Sequence, residues 1–259
     1  MNGAESLVQT LLGSGVDTCF SNPGTSEMHF VAALDRIPGM RCVLGLFEGV
    51  VTGAADGYYR MAEKPAATLL HCGPGLANGL ANLHNARRAQ SGVVNIVGDQ
   101  ATYHRPYDAP LTADTEGWAR PVSAWVRTAT QAATVGSDAA VAVQAARTSP
   151  GQIATLILPA DTAWTEGGEP GAALPVPPAA KVAPSIVAQI ARVLRSGEPR
   201  CCCSVDGRCG RRRSRAPTAS RPPPARGSWR RGPTPAWSAA AAGWRSSVCR
   251  IPSIRRCRR

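Results

Sequence analysis

No stretch of this chain approaches the ~18 consecutive apolar residues of a membrane span, so a helical membrane protein is excluded. The opening MNGAESLVQ has neither a basic region nor an apolar region, which argues against a secretory signal and for a cytoplasmic protein. Residues 201–259 contain no Leu, Lys, Glu, Phe, Tyr, His, Asn or Gln, a composition from which no core can be built. Acidic residues are also missing there: 15 Arg face one Asp, a net charge of +14. Residues 1–200 carry 14 Lys/Arg against 16 Asp/Glu, so the chain's formal +12 belongs entirely to its last part. With 259 residues the length suits one large domain, or one and a half average ones.

What is present in residues 1–165 is an alternation of apolar runs and helical periodicity. Ala4, Leu7, Val8, Leu11 and Leu12 follow helical spacing, and Gly13 can close that helix. VDTCF, RCVLGL, ATLLHC, VVNIVGD, WVRTA and ATLILPA read as strands. Helices are expected after SNPGTSE, with Thr25 or Ser26 as N-cap, from Glu48 to about Met61, over LANGLANLHNARRA, and from a Ser137 cap to Pro150. A loop is expected from Gln100 to Pro121. Strands apolar on both faces imply a six-stranded parallel sheet covered by helices, an α/β fold. Cys19, Cys42 and Cys72 lie in apolar runs and read as small core residues in a reducing compartment. Residues 166–184 are a Pro-rich linker read as an extended spacer. An amphipathic helix with Ile186, Ile190, Val193 and Leu194 opens what reads as a second α/β domain over 185–200.

In open α/β sheets, ligands bind beyond the carboxyl ends of the strands. Four strand ends carry suggestive groups: Asn22-Pro23-Gly24-Thr25, then Glu48, then His71 with Gly73-Pro74-Gly75, then Asp99-Gln100. Glu48 stands out because Leu44, Leu46, Phe47, Val50 and Val51 around it read as core, with no adjacent base. Each group also has a plain structural explanation. Glu48 could be a favourable charge at a helix start, His71 a strand-end residue, and Asn22-Pro23-Gly24 a turn. Gly73-Pro74-Gly75 with Gly79, and Asp99 as a ribose acid, leave a weak dinucleotide-binding reading open.

SNPGTSEMHF, LGLFEGVVTGAADGYYR, LLHCGPGLANGLANLHNARRA and VNIVGDQ, in this order and spacing, resemble the pyrimidine-binding domain of thiamine diphosphate enzymes. The similarity is greatest to acetolactate synthase large subunits and to benzoylformate decarboxylase, and it covers about residues 1–165. It implies a thiamine diphosphate cofactor contacted by Asn22, Pro23, Gly24, Glu48, Gly73, Pro74, Gly75 and Asn78. Glu48 would hydrogen-bond a ring nitrogen of the aminopyrimidine, in a site whose apolar walls can raise a carboxyl's proton affinity by up to ~3–5 pKa units. His71 would handle substrate protons, Thr25 would lie near the substrate carboxylate and Gln100 near the reacting centre. The resemblance implies a 2-keto acid substrate, with carboligation as in acetolactate synthase or simple decarboxylation as the alternative, and a homodimer or tetramer. Thr25 stands where benzoylformate decarboxylase has Ser.

The family's diphosphate-binding motif, G-D-G with paired Asn about 25–30 residues on, is absent: the chain has Gly98-Asp99-Gln100 and no Asn after Asn95. The sequence therefore carries neither the domain expected to hold Mg²⁺ nor most of the one holding FAD in acetolactate synthases, and no metal site is assigned. For residues 201–259 a nucleic-acid-binding arginine-rich arm is the weaker expectation. Read one frame over with GC-rich codons, CCCSVDGRCG can give Leu-Leu-Leu-Gly-Gly-Arg-Ala-Leu-Arg, a strand and helix start, so a frameshift near Arg200 is the stronger one. The run Cys201-Cys202-Cys203 lacks C-x-x-C metal spacing.

Overall fold

A computed structural model describes residues 1–196, and the expectations for 201–259 lie outside the described residues. Six parallel strands form the sheet: β1 (Thr18–Asn22), β2 (Arg41–Leu44), β3 (Ala66–Leu70), β4 (Val93–Asp99), β5 (Trp125–Thr128) and β6 (Ile153–Pro159). Their spatial order is β2-β1-β3-β4-β6-β5. All five pairings are parallel, as expected from strands apolar on both faces. The helices are α1 (Gly3–Gly13), α2 (Met28–Arg36), α3 (Glu48–Ala62), α4 (Cys72–Arg88), α5 (Thr115–Ala119), α6 (Ala132–Arg147), α7 (Ala160–Trp164) and α8 (Pro184–Arg195).

Side chains alternate across a strand, and the central strands use that alternation to build two cores. Leu69, Ile96 and Leu156 face one layer with Leu7, Leu11, Phe30 and Val143. Their neighbours Leu70, Val97 and Ile157 face the other with Val51, Leu76 and Leu83. Each such buried Leu or Ile contributes roughly 1.5–3 kcal/mol. One buried polar ladder crosses the sheet: Thr68 Oγ1 donates to Asn95 Oδ1 at 2.7 Å, and Asn95 Nδ2 donates to Thr155 Oγ1 at 3.0 Å.

Several expectations need correction. Thr25 and Ser26 do not cap α2; they sit in a 3-10 turn, Thr25–Glu27, and Glu27 precedes the helix. Ser137 is not a cap either. It lies inside α6, which starts after Gln131, and its hydroxyl bonds back to the Thr134 carbonyl at 2.8 Å. The loop after β4 contains a 3-10 turn, Arg105–Tyr107, and α5, whose cap Asp114 accepts from Gly117 N at 2.9 Å. The core assignment around Glu48 holds only for Val51, 1% exposed; Leu44, Leu46, Phe47 and Val50 are 65, 92, 48 and 59% exposed. The reason is position: β2 is an edge strand paired only with β1, and these residues lie on it, on the following turn or on the outer face of α3. Cys42 on β2 is exposed for the same reason, whereas Cys19 and Cys72 are buried as expected.

The Pro-rich segment is extended but not a free spacer at its start. Gly168 N donates to Met1 O at 2.8 Å, Gly171 N to Thr10 Oγ1 at 2.9 Å, and Gln144 Nε2 to Pro175 O at 2.7 Å, strapping it along α1 and α6. Beyond it, α8 presents Ile186, Val187, Ile190, Val193 and Leu194 at 41–55% exposure. No helix among the described residues is long and apolar enough to cross a membrane.

Candidate active site

Strand order changes direction about β1, which lies between β2 and β3. The crevice beyond the carboxyl ends at such a switch point is where an open α/β sheet takes its ligand. Glu48, 8% exposed, is the first residue of α3, and its Oε2 accepts from Asn78 Nδ2 on α4 at 3.0 Å. A carboxylate in the first turn is favoured by the helix dipole. Gly75 lets it lie there, since a Cβ on Gly75 would stand 3.1 Å from Glu48 Oε1. Asn22 Nδ2 donates to the Gly45 carbonyl at 2.7 Å, tying the ends of β1 and β2 together below this corner. The chain neighbours of Glu48, Phe47 and Gly49, and its partner Asn78 line an open groove of ≈580 Å³ between α3 and α4, together with Val50, Gly53 and Asn82.

A second corner forms around a residue the sequence reading passed over. Glu27, 2% exposed, accepts from Gly24 N at 2.8 Å, and the same oxygen, Oε2, meets His71 Nδ1 at 2.7 Å. Both neighbours require glycine. A Cβ on Gly98 would come within 1.6 Å of Glu27 Oε1, and a Cβ on Gly24 within 2.4 Å of the His71 ring. The available signal was the spacing Gly24-Thr25-Ser26-Glu27, in which a Glu three residues on reaches back to the backbone N–H, as in a capping box. Cys72 completes the corner. Its thiol donates to Ser26 Oγ at 3.4 Å, and its backbone takes φ 49°. Burial pushes this thiol up to about 12, with the Glu27 and Asp99 carboxylates adding to the rise and Ser26 opposing it.

Thus the structure gathers Glu48, Gly75 and Asn78 at one corner, and Gly24, Glu27, His71 and Cys72 at the other. Thr25 is exposed at the start of its 3-10 turn, next to Gly24. Pro74 and Asn78 are exposed on α4, whose first turn contains Gly73, Pro74 and Gly75, four residues earlier than the helix was expected to start. Gly73 is packed against Ala113, 2.4 Å from where its Cβ would be. Gln100 is committed elsewhere: its Nε2 donates to the Pro110 carbonyl at 2.8 Å. Asp99 is ion-paired with Arg105 and caps Gln100 N at 2.7 Å. This leaves the dinucleotide reading without a free acid or an open glycine turn.

Residues 1–120 match the family model described as thiamine pyrophosphate enzyme, N-terminal TPP binding domain. Over 199 residues the chain is 62% identical to a Mycobacterium tuberculosis protein named for an acetolactate synthase large subunit, IlvX, covering 77% of this chain and 38% of that one. It is 32% identical over 191 residues to benzoylformate decarboxylase of Pseudomonas aeruginosa, covering 71% of this chain and 36% of that one. A solved thiamine diphosphate-dependent 4-hydroxybenzoylformate decarboxylase of Rhodococcus jostii shares the fold at TM-score 0.67 and 24% identity, over 75% of this chain and 37% of that one. A Mycobacterium smegmatis protein named for a thiamin diphosphate-dependent enzyme superposes at TM-score 0.65 with 26% identity, over 76% of this chain and 38% of that one. The chain therefore spans a little over a third of the length of these relatives.

Proposed function

We propose, from the premise that residues 1–120 belong to the thiamine pyrophosphate enzyme family as its N-terminal TPP binding domain, that this chain supplies the pyrimidine half of a thiamine diphosphate site acting on 2-keto acids. The observation that carries the reading is Glu48: a buried carboxylate at a helix start, held by Asn78, with its chain neighbours Phe47 and Gly49 and that same Asn78 lining a groove. These residues fit the group. Gly75 lets the Glu48 carboxylate lie against α4, and Gly49 and Gly53 let the Phe47 ring and Asn82 close up on α3 along the groove. When bound, thiamine diphosphate supplies the carbon nucleophile and electron sink for cleaving or forming a carbon–carbon bond next to a carbonyl. Glu48 would share a proton with the pyrimidine nitrogen, and Asn78 would keep its carboxylate oriented. His71, held through Nδ1 by Glu27, presents its other nitrogen as a proton donor or acceptor, help of a kind that contributes ~10²–10⁴-fold. Thr25 would lie toward the substrate carboxylate, and Gln100, bonded through Nε2 to the Pro110 carbonyl, would lie near the reacting centre.

Acetolactate synthase-like chemistry, decarboxylation followed by carboligation, is the reading favoured by the 62% identity to IlvX. A benzoylformate decarboxylase-like reaction without ligation is the second reading, and the Glu27-held His71 favours it. The diphosphate with its Mg²⁺, and any FAD, would be held by a part of the protein outside these residues, in a dimer or tetramer.

The test joins residues 1–196 to the remaining sequence of the IlvX relative and follows cofactor C2–H exchange. The chimera should exchange C2–H far faster than free cofactor, and Glu48→Gln should slow it by orders of magnitude with the fold intact. Wild-type exchange in Glu48→Gln would return Glu48 to a helix-start charge and remove the reading.

A further inference from the structure

We propose that Glu27, His71 and Cys72 form a binding site for Zn²⁺. Their ligand atoms, one carboxylate oxygen, one imidazole nitrogen and one thiol sulfur, all lie within 4.8 Å of one another. The three come from two backbone segments, the 3-10 turn after β1 and the start of α4. Neighbouring strands β1 and β3 fix those segments side by side.

The donor set selects the ion. Oxygen, nitrogen and sulfur together suit a borderline-soft divalent cation, and hard ions such as Mg²⁺ or Ca²⁺ do not take thiolates. With Zn–O and Zn–N near 2.0–2.1 Å and Zn–S near 2.3 Å, tetrahedral ligation needs ligand atoms about 3.3–3.6 Å apart. Glu27 reaches its two partners through different oxygens, Oε2 at 2.7 Å from His71 Nδ1 and Oε1 at 3.9 Å from Cys72 Sγ, so either oxygen can be turned toward an ion between them. A small rotation of the carboxylate lets the ion enter. Three protein ligands leave the fourth tetrahedral position for water, as in open zinc sites. That position has a route to solvent, because the His71 side chain is 23% exposed whereas Glu27 is 1%.

The supporting shell is also present. Metal-binding carboxylates are themselves usually hydrogen-bonded, and Gly24 N holds Glu27 Oε2 at 2.8 Å. Ser26 Oγ lies 3.4 Å from Cys72 Sγ and can donate to the thiolate once its proton leaves to solvent. Gly98 and Gly24 keep the carboxylate and the imidazole from being pushed apart. The site stands on these side chains and does not depend on thiamine diphosphate. Its consequence does: an ion on His71 Nδ1 would fix the proton on the other nitrogen, which could then no longer accept one, making Zn²⁺ an inhibitor.

The test uses the full chain with Cys201, Cys202, Cys203, Cys209, Cys249 and Cys257 changed to serine, titrated with Co²⁺ and then Zn²⁺. One equivalent of Co²⁺ should produce a thiolate-to-cobalt charge-transfer band that Zn²⁺ abolishes. Cys72→Ser should remove the band, Glu27→Gln should weaken binding at least tenfold, and Cys42→Ser should change neither. X-ray absorption of the Zn²⁺-loaded protein covers the case in which a variant does not fold, and should find one sulfur with nitrogen and oxygen neighbours. No band, a band that survives Cys72→Ser, one lost with Cys42→Ser, or a sulfur count other than one would overturn the site.

Discussion

Two buried carboxylates face the same end of the sheet, and their surroundings differ in kind. Glu27 is closed in by a backbone N–H, an imidazole, a thiol and the bare Cα of Gly98. Glu48 has one side-chain partner, Asn78, and beyond it a groove rimmed by exposed Phe47 and Val50. The first is satisfied within the fold. The second has a single side-chain hydrogen bond among the described residues. Burial alone therefore does not mark a functional acid. What distinguishes Glu48 is that its neighbours Phe47 and Gly49 and its partner Asn78 line an open groove.

The sharpest way to break the comparison is to fill the space under Glu27. Gly98→Ala places a methyl 1.6 Å from Glu27 Oε1, so the carboxylate must leave its Gly24 and His71 partners. Overpacking costs about 1–3 kcal/mol, and a buried group left unpaired adds roughly as much again. Denaturant unfolding should show a loss of about 3 kcal/mol or more. Glu27→Ala in the same chain should recover part of it, a coupling that a merely awkward β4 would not show. Gly75→Ala, beside Glu48, meets its carboxylate at 3.1 Å and should cost less than half as much.

The rim offers a next, smaller contrast between adjacent residues. Val51 is 1% exposed and Val50 is 59% exposed. Val51→Ala should lower stability by about 1–3 kcal/mol, and Val50→Ala by no more than about 0.5 kcal/mol. Equal losses would mean that the rim is covered in solution and that the groove beside Glu48 is closed.

The same contrast explains what was legible in the sequence. The central strands announce themselves because both faces are buried: VVNIVGD and ATLILPA read as strands and are β4 and β6. The edge strand β2 has the same apolar letters, so RCVL could not be told from a core strand. Only its place in the sheet, paired with β1 alone, exposes Leu44 and Cys42. Glu48 was visible as a charge among apolar neighbours, although all of those but Val51 point outward. Glu27 was not, because what makes its site is Gly98 and His71, which are distant in the chain. Helix starts failed where backbone geometry outweighs propensity. Cys72 takes a left-handed φ so that α4 can begin at once after β3, with Gly73-Pro74-Gly75 inside its first turn.

Cysteine acidity separates the buried corner from the open edge in a third way. The Cys42 thiol is lowered to about 6, chiefly by a hydrogen bond from Cys19, with Ser21 Oγ also at 3.3 Å. Cys19 is raised by the same contact and by burial, and Cys72 is pushed to about 12. Peptide mapping after brief alkylation should find Cys42 modified ahead of Cys19 and Cys72, with its rate rising as pH passes through about 6. A lowered folded value means that this thiolate adds stability above the ordinary thiol range, and that the contribution is lost as pH falls through about 6. Prior modification of Cys72 would contradict the depth assigned to the Glu27 corner.

The smallest expected effect comes from a carboxylate that is not buried, and it calibrates the other two. Asp17, before β1, pairs with Lys64 at 2.5 Å, and its side chain is 47% exposed. The Lys64 ammonium holds its carboxyl below the usual 3.8. Because the folded value is depressed, the pair stabilises the protein above the unfolded pKa, and the contribution disappears as pH falls through the folded one. Solvent and salt screen so exposed a pair, and such pairs contribute about 0–1 kcal/mol. Asp17→Asn should therefore shift the unfolding midpoint slightly at pH 7 and low salt, less at high salt, and not at all once the pH lies below the folded pKa. If Asp17→Asn cost as much as Gly98→Ala, charge rather than enclosure would govern stability here, and the distinction between the Glu27 and Glu48 corners would lose its physical basis.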